Sequence, residues 1–483
     1  MKATSIFGGV QVFQILIGII RSKFVAVLLG PLGMGISGLL TSTIGFVAAL
    51  TTFGLSTSAV RDISTAHGSR DHKRLVFVVS VFRKLVWLTG FLGALVTAVF
   101  SPFLSELTFG NRDYTFAFIW LSITLLLNQI SAGQSVLLRG TRQIKFMAQA
   151  SMMGSVLGLI TTIPLYYFYG VKGIVPAMII TAITGLILTR YYANKLDMKS
   201  VPVSTAQTIS EGKEMLKMGF MISLSGLLTL GASYIVKIFI SNRGGVEQLG
   251  LYNAGFTIIN TYVGMVFTAM ATDYFPRLSA VATDNQKSKE VMNQQAEIAL
   301  LILAPIVIVF LVFIKWVIIL LYSQKFVPVT DMIQWAALGM FFKAASWAIA
   351  FIFLAKGARK LFFWNELVTN IYLLIFNVVG YVYFGLTGLG VSFLVSYIIY
   401  FIQVYWVANR KYSFTFSASF KKIFFLQLCL AVITFFIAKM LSPIIGYCLG
   451  SVVVILSIII SFKGLDSRLD LQSILLNFRN KFK

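Results

Sequence analysis

Acidic residues are scarce in this chain, with 16 Asp and Glu among 483 residues against 40 Lys and Arg. Charge of either sign amounts to 12%, about half the share usual in a soluble domain. There are two histidines, His67 and His72, both in one polar stretch. The two cysteines, Cys429 and Cys448, sit inside apolar runs at poorly matched depths, which argues against a structural disulfide and against a metal site. No nucleophile motif, metal-ligand cluster or selectivity-filter loop is present, so enzymes and channels have little to rest on. The first apolar run lacks a small-residue cleavage site and reads as a retained helix.

What the chain has is hydrophobicity: 58% apolar residues and a mean hydropathy of +0.87. Apolar runs near the ~20 residues that cross a bilayer as a helix recur from end to end. Barrel strands would alternate apolar and polar residues, and these runs do not. The expected fold class is therefore all-α and polytopic, with spans near 5–29, 35–59, 76–101, 114–138, 147–169, 173–194, 214–240, 250–275, 294–322, 331–355, 361–384, 387–408, 421–441 and 443–462. With the N-terminus inside, 28 of the 40 basic residues fall in cytoplasmic segments, from Lys2 and Arg70 through Lys199 to Arg479, Lys481 and Lys483. The alternation predicts fourteen spans with both termini cytoplasmic.

The chain also repeats. Leu32-Gly33 returns as Leu249-Gly250, Gly38 as Gly255, and Arg139-Gly140-Thr141-Arg142 as Lys356-Gly357-Ala358-Arg359, each 217 positions on. Gly170 and Gly173 return as Gly385 and Gly388 at 215. Six spans per repeat give two parallel halves about an axis along the membrane normal, the layout of an alternating-access transporter. The expected domains are a six-helix lobe over 1–196, a linker over 197–213 whose polar stretch begins at Asp197, a second lobe over 214–409, and two extra spans with a basic tail over 410–483.

The segments RSKFVAVLLGPLGMG (Arg21 to Gly35), Ala59-Val60-Arg61, FGNRDY (Phe109 to Tyr114) and LLRGTRQIK (Leu137 to Lys145) together resemble the polysaccharide-transporter branch of the multidrug/oligosaccharidyl-lipid/polysaccharide (MOP) exporter superfamily. Within it the chain is most similar to the O-antigen translocases, and the resemblance runs through the first twelve spans. It implies a V-shaped two-lobed fold, a central cavity, an undecaprenyl-pyrophosphate-linked glycan as substrate and a role in surface polysaccharide assembly. A polysaccharide polymerase and a chain-length regulator are the partners to be considered beside membrane lipids, with no nucleic acid and no bound cofactor. A proton or sodium gradient is the energy source to be considered. A lipid II flippase shares the pyrophosphate lipid and stays open. A drug/cation antiporter would want acids in its cavity, and this chain shows the opposite sign.

Arg21 and Lys23 interrupt the first span, and Lys237 stands 216 residues after Arg21 in the seventh. A charge at mid-span costs at least ~2.5–3.5 kcal/mol and usually faces a cavity or a partner. Either the three cations form a basic cavity that holds an anion, or they snorkel outward. Arg83 and Lys84 either face the same cavity or precede a later start of the third span. Lys315 and Lys343 fit snorkelling or local pairing better. Arg61, Arg139, Arg277 and Lys356 close inner helix ends, as ordinary anchors or as a ring at the cytoplasmic mouth. Glu366, whose counterpart at 217 is Gln149, either carries a coupling ion or braces Arg359 or Lys360. Asp273, four residues before Arg277, fits a local helical pair better than ion coupling. Pro164, Pro176 and Pro305 can kink spans, and Gly154-x-x-x-Gly158 offers a close-packing face.

Overall fold

A computed structural model describes residues 2–469 except 70, 197, 199 and 200, and for residues 2–8 and 469 it describes the backbone alone. Expectations resting on Arg70, Asp197, Lys199, Arg479, Lys481 and Lys483, and on the side chain of Lys2, lie outside the described residues. The described chain is built of α1 (Lys2–Thr51), α2 (Leu55–Gly68), α3 (His72–Val99), α4 (Ser101–Phe109), α5 (Thr115–Gly140), α6 (Ile144–Tyr169), α7 (Ile174–Asn194), α8 (Thr205–Gly244), α9 (Val246–Thr257), α10 (Met265–Ala280), α11 (Asn285–Leu321), α12 (Thr330–Ala355), α13 (Arg359–Tyr412), α14 (Ala418–Met440) and α15 (Pro443–Leu469). A short π-helical stretch, Ile258–Val263, joins α9 to α10.

Eleven helical segments are long and apolar enough to cross a membrane. Three are about twice the length that ~30 Å of hydrocarbon needs, and each is broken at a glycine with positive φ. The breaks are Gly30 (φ 66°) in Gly9–Thr51, Gly170 (φ 53°) in Ile144–Asn194 and Gly385 (φ 58°) in Arg359–Tyr412. A Cβ there would strain the backbone, so each glycine turns one apolar run into two spans. Eleven segments with three of them doubled give the fourteen spans expected. The second break follows Tyr169, not Pro164, and the kink in α11 is at Phe313, not Pro305. A Cβ on Gly154 or Gly158 would lie 3.7 Å from Leu188 Cδ1 or 3.6 Å from Thr181 Cγ2 of α7, ordinary van der Waals distances, so this contact does not require glycine at either position.

The same glycines reset the register of the repeat. Gly30 and Gly245 both hold positive φ with extended ψ, 215 residues apart, and Gly170 and Gly385 share φ near 55° at the same interval. Between α5 and α6 the chain turns through Arg142 (φ 59°), with Arg142 N–H donating to the Arg139 carbonyl and Gln143 N–H to that of Leu138. Between α12 and α13 it turns through Gly357 (φ 65°), with Gly357 N–H donating to Leu354 and Ala358 N–H to Phe353. All of these match at 215. The interval of 217 for Arg139-Gly140-Thr141-Arg142 is thus two residues too long: Arg139 corresponds to Leu354 and Lys356 to Thr141. The counterpart of Glu366 becomes Ser151, not Gln149.

Near the first break the two repeats touch reciprocally. A Cβ on Gly35 would lie 2.0 Å from the Val246 carbonyl oxygen, and one on Gly250 would lie 1.8 Å from the Pro31 carbonyl oxygen. Gly35 and Gly250 are counterparts at 215, as are Pro31 and Val246.

By packing, the chain divides into two compact units, Met1–Leu251 with Leu321–Lys325, and Tyr252–Leu320 with Phe326–Lys483. This division keeps α8 with the first unit, where a lobe boundary at 214 would release it. In the first unit, Leu55, Ile63, Phe82, Leu85, Leu137 and Met215 form one buried core that joins α2, α3, α5 and α8. The linker is pinned there too: Val201 N–H donates to Ser80 Oγ (3.0 Å), and Ser204 caps α8 in a capping box with Gln207. In the second unit α13 and α14 are sealed by rings, Phe401 on Phe424 at 5.9 Å and Phe416 on Phe420 at 4.2 Å. Cys429 and Cys448 are free.

Candidate functional site

The first unit encloses a cavity of about 460 Å³, within the ~300–1,000 Å³ range of ligand pockets. Its walls come from α1 on both sides of the break, α3, α5 and α7. From α1 come Thr41, Ile44, Gly45, Ala48 and Thr51, lying along one side of the helix, and Thr52 follows just past its end. Gly90 and Gly93 let α3 approach α5 and α1 closely; a Cβ on Gly90 would stand 3.1 Å from Leu126 Cδ1 of α5, and one on Gly93 2.8 Å from Thr51 Oγ1 of α1. Arg21 is the one charged residue in the lining. It is half-buried and forms no hydrogen bond or ion pair among the described residues.

The polar wall around it is partly committed. Thr51, Thr89, Thr124 and Thr181 donate their hydroxyls to carbonyls of their own helices. Gln129 Nε2 donates to Thr89 Oγ1 (3.0 Å). The side chains of Thr41, Thr52 and Asn128 hold no hydrogen bond among the described residues. Arg21 with these three therefore offers donors to a guest, and no carboxylate lines the wall to oppose an anion.

The other expected cations lie elsewhere. Lys237 corresponds to Ser22 at the 215 interval, and Arg21 to Val236. Side chains one residue apart on a helix differ by about 100° in direction, so Lys237 does not repeat Arg21. Its Nζ donates to Ser42 Oγ (2.8 Å), beside a buried chain in which Tyr234 OH meets Thr43 and Thr108 hydroxyls at 2.9 Å each. Lys23 is half-buried and outside the cavity lining. Arg83 lies well inside α3, and its Nη1 donates to the Met198 carbonyl of the linker (3.1 Å). Of Arg21, Lys23, Lys237 and Arg83, only Arg21 reaches this cavity.

The residues at the helix ends hold local partners. Arg61 meets Met218 Sδ at 3.1 Å and Arg139 meets Met147 Sδ at 3.3 Å. Arg277 donates to Gln295 Oε1 (2.8 Å) and lies 3.8 Å from Asp273, the i,i+4 pair. Lys356 Nζ donates to the Ala282 carbonyl and to Asn285 Oδ1 (2.8 Å), and stands over the Tyr412 ring. Lys343 pairs across helices, with Asn260 Oδ1 in the π-helical stretch (2.9 Å) and the Tyr397 ring of α13. Glu366 makes no ion pair among the described residues, so it does not brace Arg359 or Lys360. It accepts a long hydrogen bond from Tyr400 OH (3.4 Å), beside Asn365, whose Oδ1 accepts from Gln403 (2.8 Å) and whose buried Nδ2 has no partner.

Sequence reasoning missed the threonine and amide wall. Its signal was present: the hydroxyls of Thr41, Thr51 and Thr52 and the amides of Asn128-Gln129 interrupt apolar runs. Hydroxyls are common in spans, and only packing shows which ones converge.

Fourteen spans, a repeat at a fixed interval and a cavity entered by one arginine define a membrane transporter, not a catalytic enzyme. The family described as polysaccharide biosynthesis protein matches residues 24–331, well over half the chain, and the chain belongs to it. It is 21% identical over 397 residues to the lipid III flippases of Escherichia coli (strain K12) and Shigella flexneri, covering 80% of this chain and 92% of each relative. Its fold is that of the MOP-superfamily transporters. The lipid II flippase MurJ in an inward closed conformation aligns with a TM-score of 0.71 at 14% identity, over 96% of this chain and 99% of that one. An inward-facing MATE family multidrug resistance transporter aligns at 0.68 and 17%, over 85% and 96%.

Proposed function

We propose that this protein flips a lipid-linked oligosaccharide from the inner to the outer leaflet of a bacterial inner membrane by alternating access, with both termini cytoplasmic. The substrate is an undecaprenyl-pyrophosphate-linked repeat unit of an O-antigen, capsule or related surface glycan. The observation that carries this is Arg21: a half-buried cation in a mostly apolar, otherwise uncharged cavity, without an anionic partner among the described residues. Such a charge is costly in hydrocarbon, and a diphosphate offsets that cost. A guanidinium suits it because it donates to two oxygens at once. Asn128, Thr41 and Thr52 supply neutral donors beside it. The sign of the charge argues against a cationic drug as cargo. The lipid III flippase relatives, matched over most of their length, support a lipid-linked glycan.

Complementation of a flippase-deficient strain tests this, with membrane abundance checked by immunoblot. Arg21→Glu should abolish surface-polysaccharide export, Arg21→Ala should impair it strongly and Arg21→Lys much less. Gly45→Leu should also block export, because Gly45 lines the cavity, a Cβ there meets nothing within 4 Å, and a larger side chain would occupy that space. Full export by Arg21→Ala at normal abundance would overturn the proposal. Transfer of lipid II but not of a pyrophosphate-linked repeat unit in proteoliposomes would replace the substrate.

A further inference from the structure

A second cleft, of about 470 Å³, opens in the other unit where α11 and α14 finish and α12 and α15 begin. Thr330, Asp331, Gln334, Lys315, Lys439 and Tyr447 give it a polar floor. The charges do not cancel. Lys439 Nζ lies 3.4 Å from Asp331 Oδ1, held over the Phe435 and Trp335 rings at 5.4 and 5.8 Å. Lys315 is exposed and forms no ion pair or hydrogen bond among the described residues. Gln334 is bound through Nε2 to the Leu311 carbonyl (3.4 Å). The cleft thus keeps a net positive charge, with the phenol of Tyr447 in its lining.

Its surroundings point to a lipid. Leu320, Met440 and Ile444, at the ends of the same helices, are 75%, 77% and 76% exposed. Trp316, next to Lys315, is 61% exposed, as expected of an aromatic at a membrane interface. Lys439 is the last residue but one of α14 and Asp331 the second of α12, so the polar floor lies at headgroup depth. Hydrocarbon beside such a floor matches one amphiphile: acyl chains on the exposed apolar ends and a phosphate in the cleft.

The geometry points to a binding site for the phosphate of an anionic membrane phospholipid between α11, α12, α14 and α15, with Lys315 as its principal ligand and Lys439 and Tyr447 as supports. In the orientation proposed above it lies in the outer leaflet. The site is independent of the flipping reaction, and so is its test.

The full chain, purified in a neutral detergent, is titrated with phosphatidylglycerol, phosphatidylcholine or sodium phosphate, and the thermal unfolding midpoint is followed by tryptophan fluorescence. Phosphatidylglycerol should raise the midpoint, and the other two should not at equal concentration. Lys315→Gln should weaken the apparent phosphatidylglycerol affinity about tenfold, the loss of roughly one charge-assisted contact. Lys315→Arg should retain it, and Lys463→Gln, an exposed cation outside the cleft, should leave it unchanged. The Lys439→Gln/Asp331→Asn pair removes both charges of the local ion pair and should weaken binding further. An equal response to phosphatidylcholine, an equal response to sodium phosphate, or unchanged affinity in Lys315→Gln would each overturn the assignment.

Discussion

Replacing Glu297 with alanine should loosen the last two helices from the rest of the second unit. Glu297 lies in α11 with its side chain 9% exposed and accepts from Arg468 of α15 at 2.6 Å (Nη2) and 2.7 Å (Nε). Its other oxygen accepts from Ser417 Oγ (2.7 Å), and Ser417 in turn caps α14 by accepting from Phe420 N–H. One carboxylate therefore ties α11 to the start of α14 and the end of α15. Removing one partner of a buried pair costs about 3–5 kcal/mol, because the other charge stays behind. Arg468 is 23% exposed and keeps the Ser419 hydroxyl and the Gly464 carbonyl, so the lower end, about 3 kcal/mol, is expected. The exposed pair Arg74–Glu211 (2.8 Å, side chains 47% and 36% exposed) is the control, and Glu211→Ala should cost under ~1 kcal/mol. Thermal unfolding of the purified variants measures the difference, and limited proteolysis should show α14 and α15 opening first in Glu297→Ala. Replacing Glu297 and Arg468 together by leucine should restore much of the loss. If Glu297→Ala is no less stable than Glu211→Ala, the carboxylate is not the tie described.

Gly250→Ala should reduce folded protein sharply, by more than the ~1 kcal/mol of an average substitution, because its Cβ meets the Pro31 carbonyl; near-normal abundance and unfolding midpoint would refute that contact. If Glu366 carries a coupling proton or sodium ion, Glu366→Gln should abolish gradient-dependent flipping in proteoliposomes while expression stays normal; unchanged ion dependence returns Glu366 to a structural role. A topology reporter fused after Lys289 should signal cytoplasm and one after Asn242 the opposite side; reversed signals at both sites would invert the orientation.

The fold was largely legible in the sequence, because hydrocarbon thickness and backbone hydrogen bonding leave few choices for apolar runs of this length. The interval of the repeat was legible only where glycine is obligatory. Gly170 and Gly385 mark a backbone angle and align at 215, whereas the Arg139 and Lys356 motifs align by composition and miss by two residues. That error carried Lys237 onto the wrong helical face. Arg21 was legible because a cation inside an apolar run is costly. Its companions were not, since Thr and Asn declare themselves only when neighbouring helices bring them together. The partners of Lys343 and Lys356 were likewise hidden, lying 83 and 71 residues away in sequence.

The reciprocal seat of Gly35 on the Val246 carbonyl and of Gly250 on the Pro31 carbonyl has the pattern of an isologous dimer interface, in which one patch meets its own copy about a two-fold axis. A separate six-helix chain carrying this patch could meet an identical partner with no new surface. In such a dimer every substitution would act twice, and a cation added on one side would face its twin. Joining the copies in one polypeptide removes that constraint. Position 21 can hold arginine while position 236 holds valine, and position 237 can hold lysine while position 22 holds serine. Shared geometry at the axis thus coexists with different chemistry away from it, and a fused duplicate can divide labour between its halves where a homodimer cannot.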